Sequence, residues 1–258
     1  MEVGLMDRLW KKYLAIAASL FAVLAIISAV TGCQGVNAKE ILDSSQKTMV
    51  TMTTAKLHLD TNATVGGSPM QSSSDIEEVM NGPEGVELKM TTEVGGQVTE
   101  AYIVGGTSYM KVAGRWLKSS VPTSNGGQVG LGSVKDVESA MSNAENPRIV
   151  TEDPESYTIA FVMRRDFIEN RLNELKAQQG NLAGAIPEIT SNEITMKVNK
   201  KTKNVTEVTT KMTTHGSQYG DANMESRMTI LGYNMPISIE VPPEALNAPT
   251  LPAPGSSL

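Results

Sequence analysis

The sequence has few of the residues on which catalysis and metal binding usually depend. Its 258 residues include one cysteine and two histidines, so no internal disulfide can form and no cluster of Cys and His ligands can be assembled. The patterns HExxH and GxSxG do not occur, which speaks against a zinc hydrolase and against a serine nucleophile on a strained turn. We therefore expect neither an enzyme nor a bound cofactor or metal.

Basic residues are too few for a nucleic-acid-binding protein. The chain holds 22 Lys and Arg against 28 Asp and Glu, and residues 1–32 contribute three of the basic and two of the acidic residues. The remainder has a net charge of about −7 at neutral pH, whereas binding to a phosphate backbone needs a basic surface. We expect no nucleic-acid partner.

Charge is also missing from one long apolar stretch near the start of the chain. Residues 13–30 contain no charged side chain, and Arg8, Lys11 and Lys12 precede them. This is the order of the n-region and h-region of a secretory signal. The stretch of 18 residues also approaches the length that spans a bilayer, so an uncleaved transmembrane anchor is the alternative.

The lone cysteine directly follows this stretch. The sequence Val-Thr-Gly-Cys at 30–33 resembles the lipobox of bacterial lipoproteins. We predict that residues 1–32 are a signal peptide, that Cys33 is the site of lipid attachment, and that residues 33–36 link the anchor to the domain. More than one acyl chain gives stable anchoring, so the protein would be held in the cell envelope, on the extracytoplasmic face of a membrane. In the alternative, Cys33 is a small apolar residue at the end of a membrane helix.

Apolar periodicity predicts helices and antiparallel strands for the rest of the chain. Helical spacing predicts helices over 38–52, after Ser133, and over 165–179. Turns as short as Gly95-Gly96 allow only antiparallel pairing of the strands that they join. Alternation of apolar and polar residues predicts strands at about 57–65, 73–81, 85–94, 97–104, 107–112, 157–161, 193–199, 205–214, 224–231 and 236–241.

Three segments resemble one family of envelope lipoproteins. The first predicted helix leads into a strand that begins Ala55-Lys56-Leu57, Tyr-Met-Lys-Val at 109–112 leads to Trp-Leu-Lys at 116–118, and the domain ends in Tyr-Asn-Met-Pro-Ile-Ser-Ile-Glu-Val-Pro-Pro at 233–243. Together with the lipobox, these segments make the chain similar to the LppX/LprG-type envelope lipoproteins, which have a LolA/LolB-like fold.

The resemblance implies an α+β fold over residues 37–243, an antiparallel β half-barrel of about ten strands with helices packed on its concave face. The prolines that follow predict a disordered tail over 244–258. The resemblance also implies an apolar space between sheet and helices that accepts acyl chains, so a lipid or another amphiphile is the expected ligand. Residues of the predicted strands form the candidate lining: Leu57, Leu59, Val86, Leu88, Met90, Tyr102, Val104, Met110, Phe161, Met196, Met212 and Met228.

An alternative function and the use of two glycosylation motifs stay open. The same residues would serve equally well as an ordinary core if the helices fill the concave side, and the protein would then be an envelope interaction or sensor module without a ligand. Asn62 and Asn204 fit the N-x-Ser/Thr pattern of N-glycosylation, whose use depends on the host.

Overall fold

The computed structural model describes residues 37–82, 85–120, 132–179, 188–217 and 220–250, and the backbone alone at 81–82, 174–179 and 217. One compact unit begins at Ala38. The predicted signal peptide, Cys33 and the linker lie outside the described residues. Among the described residues, no helix is both long enough and apolar enough to cross a membrane.

The chain alternates runs of strands with helices. The helices are α1 (Ala38–Met49), α2 (Val134–Ser142), α3 (Arg165–Gln179) and α4 (Pro243–Leu246). The strands are β1 (Thr54–Val65), β2 (Ser68–Gly82), β3 (Gly85–Val94), β4 (Gln97–Val104), β5 (Thr107–Val112), β6 (Arg115–Ser120), β7 (Ala144–Glu152), β8 (Ser156–Met163), β9 (Glu188–Asn199), β10 (Val205–Ser217) and β11 (Gly220–Tyr233).

All eleven strands belong to one antiparallel sheet, in the order β6-β5-β4-β3-β2-β1-β11-β10-β9-β8-β7. Each strand pairs with its neighbour in the chain, and the pairing of β1 with β11 joins the two meanders. Strands β6 and β7 are the edges of the sheet. This arrangement confirms the predicted α+β fold, an open antiparallel half-barrel with helices on its concave face.

The two helices of the concave face are amphipathic. Helix α1 buries residues three and four positions apart, which lie on one stripe of a helix. Helix α2 does the same, and its N-cap Ser133 accepts a hydrogen bond at Oγ from the backbone N–H of Asp136 at 3.1 Å. The buried residues are Ala38, Ile41, Leu42, Ser45 and Met49 in α1, and Val134, Val137, Ala140 and Met141 in α2.

The main core lies between these helices and part of the sheet. Its buried members come from α1, α2, β1, β2 and β8–β11, and Phe161, Met49 and Leu57 are the largest of its fully buried side chains. Side chains of β3 such as Leu88 and Met90 pack only at its margin. Helices α1 and α2 therefore cover the concave face far more completely over β1, β2 and β8–β11 than over β3.

Three sequence predictions of strands differ from the structure. Strands β6 and β7 were not predicted, and the strand predicted at 236–241 is wrong because that segment does not pair with the sheet. Strand β7 contains Pro147, and the register shifts there between Glu145 and Arg148. A proline is tolerated at such an irregularity on an edge strand, although it weakens the sequence signal.

The C-terminal segment also differs from the predicted tail. Residues 244–250 are described: Pro243–Leu246 form α4, Ala245 is fully buried, and the carbonyl of Pro249 accepts the backbone N–H of Lys118 at 3.1 Å. An edge strand exposes unpaired backbone groups. This segment covers part of that edge along β6.

Candidate functional site

Cross-strand pairing assigns each strand residue to the concave or the convex face. Residues that face each other across neighbouring strands lie on the same side of a sheet. The row that starts at Leu57, in the core beneath the helices, can be followed strand by strand to the edge at β6. Its members are Leu57, Ile76, Met90, Ala101, Met110 and Leu117.

The two ends of this row differ in exposure. Leu57, Ile76 and Ala101 are 0%, 1% and 8% exposed, whereas Met110 is 45% exposed and Leu117 is half-buried. In the fully described strands β5 and β6, none of the apolar residues on the concave face is buried: Met110 and Val112 are exposed and Leu117 is half-buried. We call strands β3–β6 the open arm, and strands β7–β11 with β1 and β2 the covered arm.

A second apolar row crosses the sheet near the β1–β2 and β10–β11 turns. Met70 pairs with Ala63, Ala63 with Met224, and Met224 with Met212. These residues line a depression of about 580 Å³, which is within the range of ligand sites of roughly 300–1,000 Å³. Met70 is 55% exposed there, so the methionine row is an accessible apolar surface and not a closed core.

The predicted lining residues fall into three groups. Buried in the core are Leu57, Phe161, Met196 and Met228. On the concave face, half-buried or exposed, are Leu59, Val86, Leu88, Met90, Met110 and Met212. On the convex face are Tyr102 and Val104.

The placement of Tyr102 and Val104 in an apolar lining is therefore corrected. Tyr102 pairs with Lys89 and Tyr109 on the convex face. It is 5% exposed because it packs against Trp116, with ring centroids 5.8 Å apart. The sequence Ala-Tyr-Ile-Val at 101–104 is apolar at both parities, so alternation alone could not decide which side faces inward.

One charged residue of the concave face, Glu78, is not among the predicted lining residues. Glu78 is fully buried, and it pairs with Ala55 of β1 on one side and with Leu88 of β3 on the other. Its Oε2 accepts the backbone N–H of Val134, the first residue of α2, at 2.9 Å. Burial, the largest cause, raises the pKa of Glu78 to about 7. The signal was present in the sequence, since Glu78 alternates in phase with Ile76 and Met80.

A second carboxyl group, half-buried, lies in the first turn of α2. Asp136 accepts hydrogen bonds at Oδ2 from the hydroxyl of Ser133 at 3.0 Å and from the backbone N–H of Gly132 at 3.3 Å. Burial raises the pKa of Asp136 to about 6, although these hydrogen bonds lower it. Two carboxyl groups, Glu78 of β2 and Asp136 of α2, thus lie at the start of α2, and desolvation disfavours the ionised form of each.

The convex face carries a group of side chains with the spacing of a catalytic triad. His58 Nδ1 lies 2.8 Å from Asp75 Oδ1, and His58 Nε2 lies 3.3 Å from Ser73 Oγ. However, Asp60 Oδ1 is also 3.3 Å from Nε2. The hydrogen bond to Asp75, above all, raises the pKa of His58, and Asp60 competes with Ser73 for the Nε2 atom that a triad serine would need. In the described part of the chain, no group of three His, Cys, Asp or Glu could hold a metal ion.

Fold and site together define a class of protein: an open antiparallel half-barrel with a partly covered apolar face. The chain belongs to the family described as "Family of unknown function (DUF6612)", whose model matches residues 37–250. A search among curated proteins found no match.

Solved structures give the same result for the fold. LprF from Mycobacterium bovis matches with a TM-score of 0.50 and 17% identity, over 80% of this chain and 96% of LprF. The MucA/MucB complex of Pseudomonas aeruginosa is a weaker match, with a TM-score of 0.35 and 11% identity over 80% of this chain and 59% of that chain. A LolA superfamily protein of Nitrosomonas europaea matches with a TM-score of 0.30 and 8% identity, over 77% of this chain and 95% of that chain. The likeness to LprF confirms the predicted fold and concerns the fold alone.

Proposed function

We propose that this protein is a membrane-anchored lipoprotein of the cell envelope that binds lipids or other amphiphiles on the open arm of its concave face. The supporting observation is the difference in exposure between Leu57, buried beneath the helices, and Met110, nearly half exposed on β5, which belong to one cross-strand row. The same apolar pattern that forms a core beneath α1 and α2 continues beyond them, where it is left accessible. Removing this surface from water with an acyl chain contributes about 0.8 kcal/mol per buried methylene.

The chemistry of the face suits a flexible apolar ligand. Met90 and Met110 lie on the open arm, and Met70, Met212 and Met224 line the depression near the β1–β2 and β10–β11 turns of the covered arm. Methionine adapts to irregular shapes because its side chain is unbranched and polarisable. Such a face accommodates acyl chains of varied length better than it recognises one rigid molecule. The binding role requires no catalytic group.

Anchoring is the second part of the proposal. Residues 13–30 carry the chain to the membrane, Cys33 receives the lipid, and the signal peptide of residues 1–32 is removed. If this is so, Cys33→Ala abolishes incorporation of an alkyne-labelled fatty acid and moves the protein into the soluble fraction. A variant that loses the label but stays in membranes would show that residues 13–30 are retained as a transmembrane anchor.

The binding proposal is tested with the full chain in lipid nanodiscs that contain a diazirine-bearing fatty acid. After photolysis, peptide mass spectrometry should find cross-links on the concave side of β3–β6. Met110→Glu should lower the yield there several-fold, because an acyl chain would have to desolvate a carboxylate. Val98→Glu is the matched control, since Val98 is 62% exposed and pairs with Glu93 on the convex face.

Cross-links that fall equally on both faces, or an equal loss of yield in the two variants, would contradict binding on the open arm. Such a result would favour the alternative function, an envelope interaction or sensor module with the same fold and no ligand.

A further inference from the structure

The β5–β6 hairpin differs in charge from the rest of the chain. Residues 105–120 contain Lys111, Arg115 and Lys118 and no Asp or Glu, whereas the whole chain has a net charge of −6. The hairpin lies at the edge of the sheet. A cationic edge on an acidic protein is a local feature that the overall charge does not explain.

The tip of this hairpin is fully accessible. Ala113 and Gly114 have φ of 48° and 79°, the left-handed pair that a two-residue turn of a twisted hairpin requires. The residues from Val112 to Arg115 are all exposed. Directly behind them, the ammonium of Lys111 lies 5.6 Å from the centroid of the Trp116 ring. The tip therefore places an aromatic ring and two cations close together.

The two cations at the tip are not neutralised. In the described part of the chain, neither Lys111 nor Arg115 has a carboxylate within 4 Å, and the nearest acidic residue on the neighbouring strand β4 is Glu100. Lys118 lies farther from the tip and donates to the carbonyl of Leu246 at 3.0 Å. Lys111 and Arg115 thus remain available to an external anion.

Apolar side chains accompany the cations. Met110 and Val112 are 45% and 48% exposed on the concave side of the hairpin, and Val94, at the end of β3, is 43% exposed. An aromatic ring, basic side chains and accessible aliphatic groups are the combination found where proteins contact the interface of a bilayer. A site for a small soluble anion would not need the aliphatic part.

A second basic turn provides the contrast. The β9–β10 turn has three lysines at 200, 201 and 203. Lys200 Nζ lies 2.6 Å from Glu152, whereas Lys201 and Lys203 have no carboxylate of the described residues within 4 Å. Val205, which follows the turn, is fully buried. Unpaired positive charge is therefore common to both turns, and the β5–β6 tip differs in the exposed apolar groups that accompany it.

We propose that the tip of the β5–β6 hairpin, residues 111–116, is a docking surface for an anionic lipid bilayer. Lys111 and Arg115 bind lipid phosphates, the ring of Trp116 lies at the level of the head groups, and Val112 inserts beside it. Because Met110 and Leu117 of the same hairpin belong to the open arm, docking brings the edge of the ligand-binding face to the membrane.

This inference rests on the envelope location in the proposed function. Only four residues separate Cys33 from Ala38, and a chain segment of that length spans at most about 18 Å. A lipid on Cys33 would hold the domain within reach of the bilayer throughout. Docking then requires only that the tethered domain turn its β5–β6 tip toward the bilayer, because the domain is already at the membrane. Two cations and one aromatic ring are therefore sufficient for a measurable effect.

The test uses the fluorescence of Trp116 in the full chain. The chain has two tryptophans, Trp10 and Trp116, so Trp10→Phe leaves Trp116 as the single reporter whether or not the signal peptide is removed. The protein is placed in nanodiscs of zwitterionic lipid, or of the same lipid with phosphatidylglycerol, each with and without lipids brominated near the head group. We expect quenching of Trp116 in the anionic nanodiscs, and its loss at high salt.

Lys111→Gln with Arg115→Gln should reduce the ratio of docked to undocked protein about 30-fold, as expected for two basic residues near an anionic surface. Lys201→Gln with Lys203→Gln removes the same charge from the other basic turn and should leave quenching unchanged. Quenching that is equal in both lipids, or lowered equally by both double variants, would overturn the proposal.

A parallel measurement separates this proposal from the binding proposal. If docking is wrong and binding is right, Trp116 is not quenched while the fatty-acid cross-links still fall on the open arm. If binding is wrong and docking is right, the cross-links are absent or unselective while the charge-dependent quenching of Trp116 persists.

Discussion

The covered and open arms of the sheet are built from the same strand pattern but differ in what lies on their concave face. In the covered arm, Ile194, Met196 and Val198 are all fully buried. In the open arm, Met110 and Val112, at equivalent alternating positions, are nearly half exposed. An apolar face of a strand is therefore core or binding surface according to what packs on it, and its own sequence does not distinguish the two.

The boundary between the arms coincides with Glu78. This residue lies on β2, the last strand of the covered arm, and accepts a hydrogen bond from the first residue of α2. A carboxylate at the N-terminus of a helix is stabilised by the free backbone N–H groups and the helix dipole, yet here it is desolvated as well. Glu78 thus fixes where the cover begins and makes the covered arm sensitive to pH.

The largest expected effect distinguishes the arms by stability. Phe161→Ala empties a fully buried site in the covered arm and should lower the free energy of unfolding by about 3–5 kcal/mol. Met110→Ala, in the open arm, should change it by less than about 1 kcal/mol. Urea unfolding of the two full-length variants measures both values. Similar losses would mean that the open arm is as tightly packed as the covered arm.

The next largest expected effect is a dependence of stability on pH, caused by Glu78 at the start of α2. Because the pKa of Glu78 in the folded protein, about 7, is above its unfolded value, its ionisation destabilises the fold. The neutral carboxyl group of Glu78 therefore contributes on the order of 3 kcal/mol to the free energy of unfolding. This contribution is fully present below about pH 4.5 and is lost as the pH rises through about 7. Asp136, with a pKa raised to about 6, acts in the same direction over a slightly lower range.

Unfolding by urea at pH 5 and pH 8 tests this dependence. Glu78→Gln should make the difference between the two pH values smaller and leave the share of Asp136. Glu77→Gln is the matched control, because Glu77 is the adjacent carboxylate but lies on the convex face beside Lys56 and Lys89. The assignment fails if both substitutions flatten the pH dependence equally.

A smaller effect should show how the open arm is stabilised without helices on its concave face. Tyr102 packs against Trp116 on the convex face, near the edge that α4 and Pro249 cover. Tyr102→Ala should cost about 2–3 kcal/mol, less than Phe161→Ala because the ring lies in a thinner layer. Tyr109→Ala, at a half-buried position of the same face, should cost less. Equal losses would show that the Tyr102 site is not a packing centre.

Much of the fold could be predicted from periodicity and turns. Strands 85–94, 97–104 and 107–112 and helix 165–179 have the predicted bounds. A Gly pair follows each of the first two strands, Ala113-Gly114 follows the third, and Gly180 follows the helix. These signals are local, and therefore a single sequence contains them. Strand β6 was missed because six residues with four polar side chains show little alternation.

The site was less predictable because it depends on contacts distant in sequence. Whether Met196 is core and Met110 is accessible is decided by where α1 and α2 pack, which neither strand encodes. Tyr102 was placed on the wrong face because its strand is apolar on both. Burial of Glu78 could not be predicted, because the cost of burying a carboxylate outweighs the weak signal of alternation unless a donor such as the N-terminus of α2 is present.

The smallest expected effect concerns the stem of the proposed docking tip. Lys111→Met keeps the aliphatic part of the side chain and removes the ammonium from the Trp116 ring. A cation–π contact at a half-exposed site contributes about 0.5–1 kcal/mol, so the urea midpoint should fall only slightly, while the charge-dependent quenching of Trp116 should fall clearly. This difference separates the two roles of Lys111, because a purely structural lysine would change stability and leave the response to anionic lipid intact.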